Sequence, residues 1–138
     1  MIIDHIGIVV KSITQGIIHW QKVFGYSQHT EIVLNTRQQV KIVFMTKKNS
    51  LTIKLVEADG PQSPVYEFGR KGGGLHHLCF KCNNVATQVL ILNDMGLRTL
   101  APPQPGEAFK EENIAFVFAK QGLNIELIDT EKRAKIIL

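Results

Sequence analysis

The chain has 138 residues, of which 44% are hydrophobic and 20% charged, and its formal net charge is +4. This size and composition are typical of one globular domain with its own core, and no apolar run approaches the roughly 20 residues of a membrane-spanning helix. We expect a cytoplasmic protein without a membrane partner, and the scattered Lys and Arg residues favour an anionic small molecule over nucleic acid as its ligand.

The first part of the chain predicts a strand, a helix and three further strands. Residues 2–10 are apolar and β-branched, as in a buried strand. Ser12, with Gln15 three residues later, forms a capping-box pattern at the start of a helix, and Gly25 can end that helix in a left-handed conformation. Turn residues then separate three predicted strands, near 28–35, 38–46 and 51–57.

Residues 59–74 are predicted to connect two halves of the chain. Gly and Pro residues interrupt regular structure there, and a short helix is predicted over 65–70. The three consecutive glycines at 72–74 do not form a phosphate-binding loop, because they lack the Gly-Lys-Ser/Thr ending and open no long helix.

The second half repeats the order of the first. A strand over 75–82 precedes a helix that Asn83 or Asn84 caps and that Gly96 ends. The remaining predicted elements are a strand near 97–101, a loop from Pro102 to Gly106, strands at about 113–119 and 123–129, and a terminal helix in the tail.

The β-α-β-β-β order therefore occurs twice, which predicts an α+β fold built from two tandem modules. We expect a single domain over 1–138, with module one at 1–58, the connecting segment at 59–74, module two at 75–130 and the tail at 131–138. Superposing His5 on His77 also brings Lys54 close to Glu126, so that the repeat includes polar residues inside apolar strands.

Alternation along each strand places these four side chains on the face that the helices do not cover. A histidine on an apolar strand is often a hydrogen-bonded core residue, and Lys54 and Glu126 would be exposed if that face were open to solvent. The coincidence of all four positions instead favours a functional site where the two modules meet. His76 is predicted to face the core beside a helix and to have a structural role.

Cys79 and Cys82 have the Cys-x-x-Cys spacing of many zinc and redox sites. The chain contains no second pair, and an offset of three on a strand points the side chains to opposite faces. We therefore interpret both as small buried apolar residues.

Two sequence segments carry a resemblance to a known family. Ile-Asp-His5-Ile-Gly and Gly-Leu-His-His77-Leu, together with the closing Ile-Glu126-Leu, resemble the vicinal oxygen chelate superfamily, which includes glyoxalase I, extradiol dioxygenases and bleomycin-resistance proteins. Within it the chain looks most like the methylmalonyl-CoA epimerases. The resemblance implies a curled mixed sheet around a central cup, with the helices outside, and a homodimer.

The resemblance also implies a divalent metal inside the cup. Its ligands would be His5, His77 and Glu126, with a fourth ligand, usually Gln or Glu, where this chain has Lys54. A protonated lysine has no lone pair to donate. Either the three remaining residues bind a metal such as Zn, Co, Ni, Mn or Fe, or the ammonium group of Lys54 takes the place of the metal and pairs with Glu126.

The activity implied by the resemblance is proton transfer next to a carbonyl, in an epimerase, isomerase or lyase acting on a small anionic compound such as an acyl-CoA. Glu126, Lys54 and Lys41 are the candidate catalytic residues, since Lys41 aligns with a carboxylate base on the third strand. The alternative is a non-catalytic or metal-free binding protein of the same fold, of the resistance or biosynthetic accessory type.

Overall fold

The first half of the chain folds in the predicted order, except that the second predicted strand is divided in two. A computed structural model describes all residues 1–138. The Ser12 hydroxyl accepts a hydrogen bond from the backbone N–H of Gln15, and Gly25 ends the helix with a φ of 73°, which glycine adopts without strain. The elements are β1 (Ile2–Val9), α1 (Ile13–Phe24), β2 (Ser27–Gln28), β3 (Val33–Asn35), β4 (Val40–Thr46) and β5 (Thr52–Ala58).

The second half repeats this arrangement after the short connecting helix. Asn84, rather than Asn83, caps the second long helix, because its side-chain oxygen accepts from the backbone N–H of Thr87. Gly96 follows the end of that helix with a φ of 95°. The elements are α2 (Tyr66–Arg70), β6 (Gly74–Lys81), α3 (Val85–Asp94), β7 (Arg98–Gly106), β8 (Glu112–Ala119) and β9 (Leu123–Ile128).

All nine strands belong to one curled mixed sheet, in the order β2-β4-β5-β1-β6-β9-β8-β7, with β3 paired to β4. The expected α+β architecture is therefore confirmed. The two central strands, β1 and β6, are antiparallel to each other, and each has a parallel neighbour from its own module. The registers match, since Gly7 pairs with Lys54 and Cys79 pairs with Glu126. The repeat thus places the four polar side chains on four adjacent strands.

The apolar residues form three clusters, two between the helices and the sheet and one on the opposite face. The third cluster contains Phe44, Phe109 and Phe116, and it forms the inner wall of the cup. Cys79 belongs to this inner cluster, whereas Cys82 packs against the cluster under α3. Both thiols are free, and they lie on opposite faces of β6, as an offset of three requires.

The predicted loop from Pro102 to Gly106 is wrong, because β7 continues to Gly106. This strand lies at the edge of the sheet, where a proline without an N–H can face away from the ladder. Register shifts on both sides of Ala101 accommodate the irregular backbone.

The predicted terminal helix is also wrong. The tail contains a turn and an isolated bridge between Thr30 and Ile136, and the N–H of Ala134 donates to the carbonyl of Ala108. These contacts hold the tail against both modules and bring Arg133 beside β1. None of the helices in the fold has the length and apolar character required to span a bilayer.

Candidate functional site

Glu126 is the centre of a buried cluster in which the four predicted side chains meet. Its carboxylate lies 3.0 Å from Nε2 of His5, and Nζ of Lys54 lies 3.0 Å from each of its oxygens. Nε2 of His77 lies 3.1 Å from Oε1. Each of the four residues is at most 2% exposed, so their charges interact with little screening by water.

The ion pair of Lys54 with Glu126 dominates the electrostatics of this cluster. Burial alone would raise the pKa of Glu126, but the Lys54 ammonium and the contacts from His5 and His77 outweigh it and hold that pKa well below its ordinary value. Glu126 is therefore ionised at neutral pH. The Lys54 ammonium also lies 5.4 Å from the ring centre of Phe109, within cation–π range.

A second ion pair fixes His5 from the opposite side. Nδ1 of His5 lies 2.7 Å from Oδ2 of Asp4, which Arg133 also contacts. Burial would raise the pKa of Asp4, but its hydrogen bond to His5 and the Arg133 guanidinium lower it. The resulting row, Arg133–Asp4–His5–Glu126–Lys54, has a cation at each end and two carboxylates on either side of His5, so the formal charges of these two cations and two carboxylates cancel.

His77 depends on the absence of a side chain at Gly7. A Cβ atom at Gly7 would lie 2.1–2.4 Å from three atoms of the His77 ring, which is far inside van der Waals contact. Burial lowers the pKa of His77 to about 4, so its ring is neutral at pH 7. Its Nε2 approaches Glu126 too obliquely for a well-formed hydrogen bond and is the one buried side-chain nitrogen without a partner.

Gly7→Ala should therefore displace the His77 ring and destabilise the fold by about 1–3 kcal/mol, the usual cost of overpacking a core. Chemical denaturation followed by circular dichroism would measure the loss. Gly16→Ala is the matched control, because its added Cβ would approach its neighbours no closer than 3.3 Å. Equal effects of the two substitutions would show that the His77 ring has room to move.

His76 faces the cup, so its predicted orientation toward the core beside a helix is wrong. The register between β1 and β6 shifts between Gly7 and Ile8, and this β-bulge turns His76 toward the cavity instead of the helix. Nδ1 of His76 lies 2.8 Å from Nδ1 of His77, and both rings can be neutral if one donates and the other accepts. Burial, and secondarily the Lys54 ammonium, lower the pKa of His76.

A cavity of about 330 Å³ opens above this cluster. Lys54, His76 and His77 form part of its wall, and Arg37 adds a second cationic side chain. The volume is within the range of small-molecule sites. Arg37 pairs with Glu107 and Glu111, and Lys54 pairs with Glu126, but none of these carboxylates is among the lining residues, so the groups presented to a ligand favour an anion. The other lining residues are mainly apolar: Val40, Ile42, Val56, Pro64, Val65, Leu100, Ala101 and Phe116, with the amides Gln38, Gln104 and Asn124.

Lys41 is not part of this cavity, and its predicted place in the cup is wrong. Its neighbours on β4, Val40 and Ile42, line the cavity, so alternation turns Lys41 to the other face. There its ammonium lies 3.6 Å from Oε2 of Glu57, and its side chain is 42% exposed.

The residues predicted to bind a metal are close enough together, but the carboxylate of Glu126 already holds a cation. Ligand atoms of His5, His77 and Glu126 all lie within 4.8 Å of one another, and Nε2 of His77 has no hydrogen-bond partner. Both oxygens of Glu126, however, accept from Lys54. With Lys54 in this position, the site does not fit a divalent metal.

Comparison of the sequence with protein families and curated proteins identifies relatives. A model of the Glyoxalase/Bleomycin resistance protein/Dioxygenase superfamily matches residues 4–118. The chain is 33% identical over 131 residues to the uncharacterized protein YqjC of Bacillus subtilis, covering 92% of this chain and 91% of that protein. It is 27% identical over 101 residues to the mitochondrial methylmalonyl-CoA epimerase of Mus musculus, covering 72% of this chain and 56% of that protein.

Solved structures share the fold. A methylmalonyl-CoA epimerase in complex with methylmalonyl-CoA and NH4+ has a TM-score of 0.81 to this chain, at 23% sequence identity, with 94% of each chain covered. At this level of identity, the similarity shows a common architecture of two modules around a cup.

Proposed function

Because the chain belongs to the Glyoxalase/Bleomycin resistance protein/Dioxygenase superfamily, we propose that it catalyses proton transfer at the carbon next to a carbonyl, in an epimerase-type reaction on a small anionic acyl thioester. The observation that carries the proposal is the Lys54 ammonium, held by Glu126 at the wall of the cavity. It supplies a fixed positive charge where a carbonyl oxygen would become negative.

Lys54 is the candidate for stabilising the enolate. An ammonium group has three N–H donors, and Glu126 accepts two of them. The third is available to a ligand oxygen in the cavity. A pre-oriented donor of this kind stabilises the developing oxyanion, and one such donor is typically worth about 2.7–4 kcal/mol of activation free energy. In this role Glu126 positions Lys54 and does not itself move the substrate proton.

His76 is the candidate base, in place of Lys41. Its Nδ1 is engaged with His77, which leaves Nε2 for the substrate, and its lowered pKa keeps the ring unprotonated at neutral pH. Nε2 would accept the proton from the α-carbon while the electron pair of that C–H bond forms the enolate C=C bond and the carbonyl oxygen gains the negative charge. Water in the cavity then protonates the enolate carbon on its opposite face, and the hydroxide so formed takes the proton from His76, which gives the epimer and restores the base.

The relatives support an acyl-CoA as the substrate class. Curated relatives and solved structures are methylmalonyl-CoA epimerases, and one complex contains an ammonium ion together with methylmalonyl-CoA. The ammonium of Lys54 is a covalently held group of the same charge. Arg37 also lines the cavity. Its guanidinium contacts Glu107 and Glu111 through Nη1, and its other N–H donors are the candidates for binding the free carboxylate of such a substrate.

Incubation with methylmalonyl-CoA in deuterium oxide tests the proposal. We expect deuterium to enter the α-carbon faster than in a solution without protein, as measured by NMR or mass spectrometry. Lys41→Gln is the matched control and should exchange at the wild-type rate, because its side chain lies outside the cavity. Saturable binding of the thioester without accelerated exchange would support the alternative, a metal-free binding protein, and absence of both would exclude this substrate.

A further inference from the structure

We propose that Lys54 is an internal substitute for a divalent metal: its ammonium keeps metals out of a site whose other ligands are still arranged to bind one. This inference concerns only the cation in the cluster and does not depend on the identity of the substrate or on the proposed reaction.

The first argument is the position of the ammonium group. Nζ of Lys54 lies 3.0 Å from both oxygens of Glu126, and the Nε2 atoms of His5 and His77 lie 3.0 Å and 3.1 Å from one of those oxygens. A zinc ion would have to approach these oxygens to about 2.0–2.2 Å. Lys54 and a metal therefore cannot occupy the space next to Glu126 at the same time.

The second argument is charge. Lys54 and Arg133 already balance Glu126 and Asp4 in this buried row. A divalent ion would add two uncompensated positive charges to a cluster whose four members are at most 2% exposed, and burying unpaired charge is strongly unfavourable.

The third argument is that the ammonium group of Lys54 cannot move away from Glu126 without a large cost in free energy. It is 2% exposed, on a strand in the middle of the sheet. If a metal took its place beside Glu126, the ammonium would remain as a buried charge without its carboxylate, which is strongly destabilising. A metal would have to supply that free energy before it gained any stability from binding.

The other features of a metal site are nevertheless present. Asp4 holds Nδ1 of His5 and so directs Nε2 toward Glu126, which is how a carboxylate commonly orients a metal-binding histidine. Nε2 of His77 has no hydrogen-bond partner. Lys54→Gln would replace the ammonium with a neutral amide that can offer an oxygen ligand, which should open the site to a metal.

Calorimetric titration of the full chain with zinc, cobalt and nickel, after treatment with a chelator, tests this inference. We expect wild-type protein to show no saturable one-to-one binding and Lys54→Gln to bind one ion per chain at least about 100-fold more tightly, more than the loss of one supporting contact usually changes metal affinity. The visible spectrum of the cobalt form reports directly on the coordination geometry. Lys41→Gln is the matched control and should behave as wild type.

Two results would overturn the inference. One is stoichiometric binding to wild-type protein with an affinity within tenfold of that of Lys54→Gln. The other is a folded Lys54→Gln protein, by circular dichroism, that binds no metal. If Lys54→Gln is unfolded without metal, its melting temperature is measured with added zinc. A completed metal site must restore folding, so a variant that stays unfolded in zinc also contradicts the inference. The wild-type titration does not depend on whether any variant folds. None of these measurements uses a substrate, so a failure of the proposed reaction leaves this test unaffected.

Discussion

Replacing Lys54 by methionine should lower the free energy of unfolding by about 3–5 kcal/mol, because Glu126 becomes a buried carboxylate whose cation has been removed. Methionine keeps much of the apolar volume of the lysine side chain, so that the loss reports mainly on charge. Urea denaturation followed by circular dichroism would measure the change.

The partner substitution separates charge from packing. In the double variant Lys54→Met/Glu126→Gln, the uncompensated charge is absent, and we expect most of the lost stability to return. A double-mutant cycle over the two positions should therefore give a coupling free energy of about 3 kcal/mol or more, at or above the upper end of the usual range. The coupling should be smaller if His5 and His77 can stabilise the buried Glu126 carboxylate without Lys54.

Lys41→Met is the matched control for this experiment. Lys41 also pairs with a glutamate, Glu57, across neighbouring strands, but its side chain is 42% exposed. Exposed pairs contribute about 0–1 kcal/mol. If Lys54→Met costs no more than Lys41→Met, the ion pair at the centre of the cup makes no special contribution to the fold.

The repeat in the sequence was sufficient to predict both the fold and the centre of the site. The prediction that four side chains converge rested on strand alternation, which places them on the face that the helices do not cover, at equivalent positions of two modules that curl into one cup. The four residues are His5, Lys54, His77 and Glu126. The structure confirms the two-module sheet and brings the four side chains together around one carboxylate. The resemblance to the superfamily is confirmed by the family match over residues 4–118.

What the sequence did not predict depends on pairing between distant strands. His76 reaches the cavity because of a bulge in the β1–β6 ladder, and nothing in the local pattern of β6 marks that bulge. Lys41 was assigned one position away from the cavity-lining residues of β4, and an error of one residue exchanges the two faces of a strand. In both cases the residue pattern within a single strand was insufficient to predict which face of the sheet the side chain occupies.

The contacts of Asp4 and Arg133 that hold His5 were not predicted, for a different reason. Asp4 precedes His5 directly, but its cation, Arg133, comes from a tail that was predicted to be helical. The guanidinium of Arg133 lies 4.6 Å from the ring centre of Phe44 and 4.9 Å from that of Phe109. These contacts are specified by tertiary structure alone. An unpaired aspartate beside a strand histidine was the only available signal, because such a carboxylate commonly orients the ring.

His76→Gln should reduce deuterium exchange into the substrate by about 100-fold or more, the usual contribution of a positioned base. Glutamine can still donate an N–H to Nδ1 of His77, but it has no basic nitrogen to accept the α-proton. The stability of the fold should therefore change little while the exchange rate falls. His19→Gln is the matched control, since His19 is exposed on α1, far from the cavity lining, and it should leave exchange unchanged.

The affinity for the thioester distinguishes a base from a group that only shapes the cavity. If His76 accepts the proton, the turnover rate falls and the dissociation constant of methylmalonyl-CoA, measured by calorimetry, remains near the wild-type value, because removing a proton acceptor affects the transition state more than the bound substrate. Equal losses of affinity and rate would assign His76 to ligand positioning. Undiminished exchange would show that another group removes the proton, and Lys54 would then remain the only residue of this cavity with an assigned chemical role.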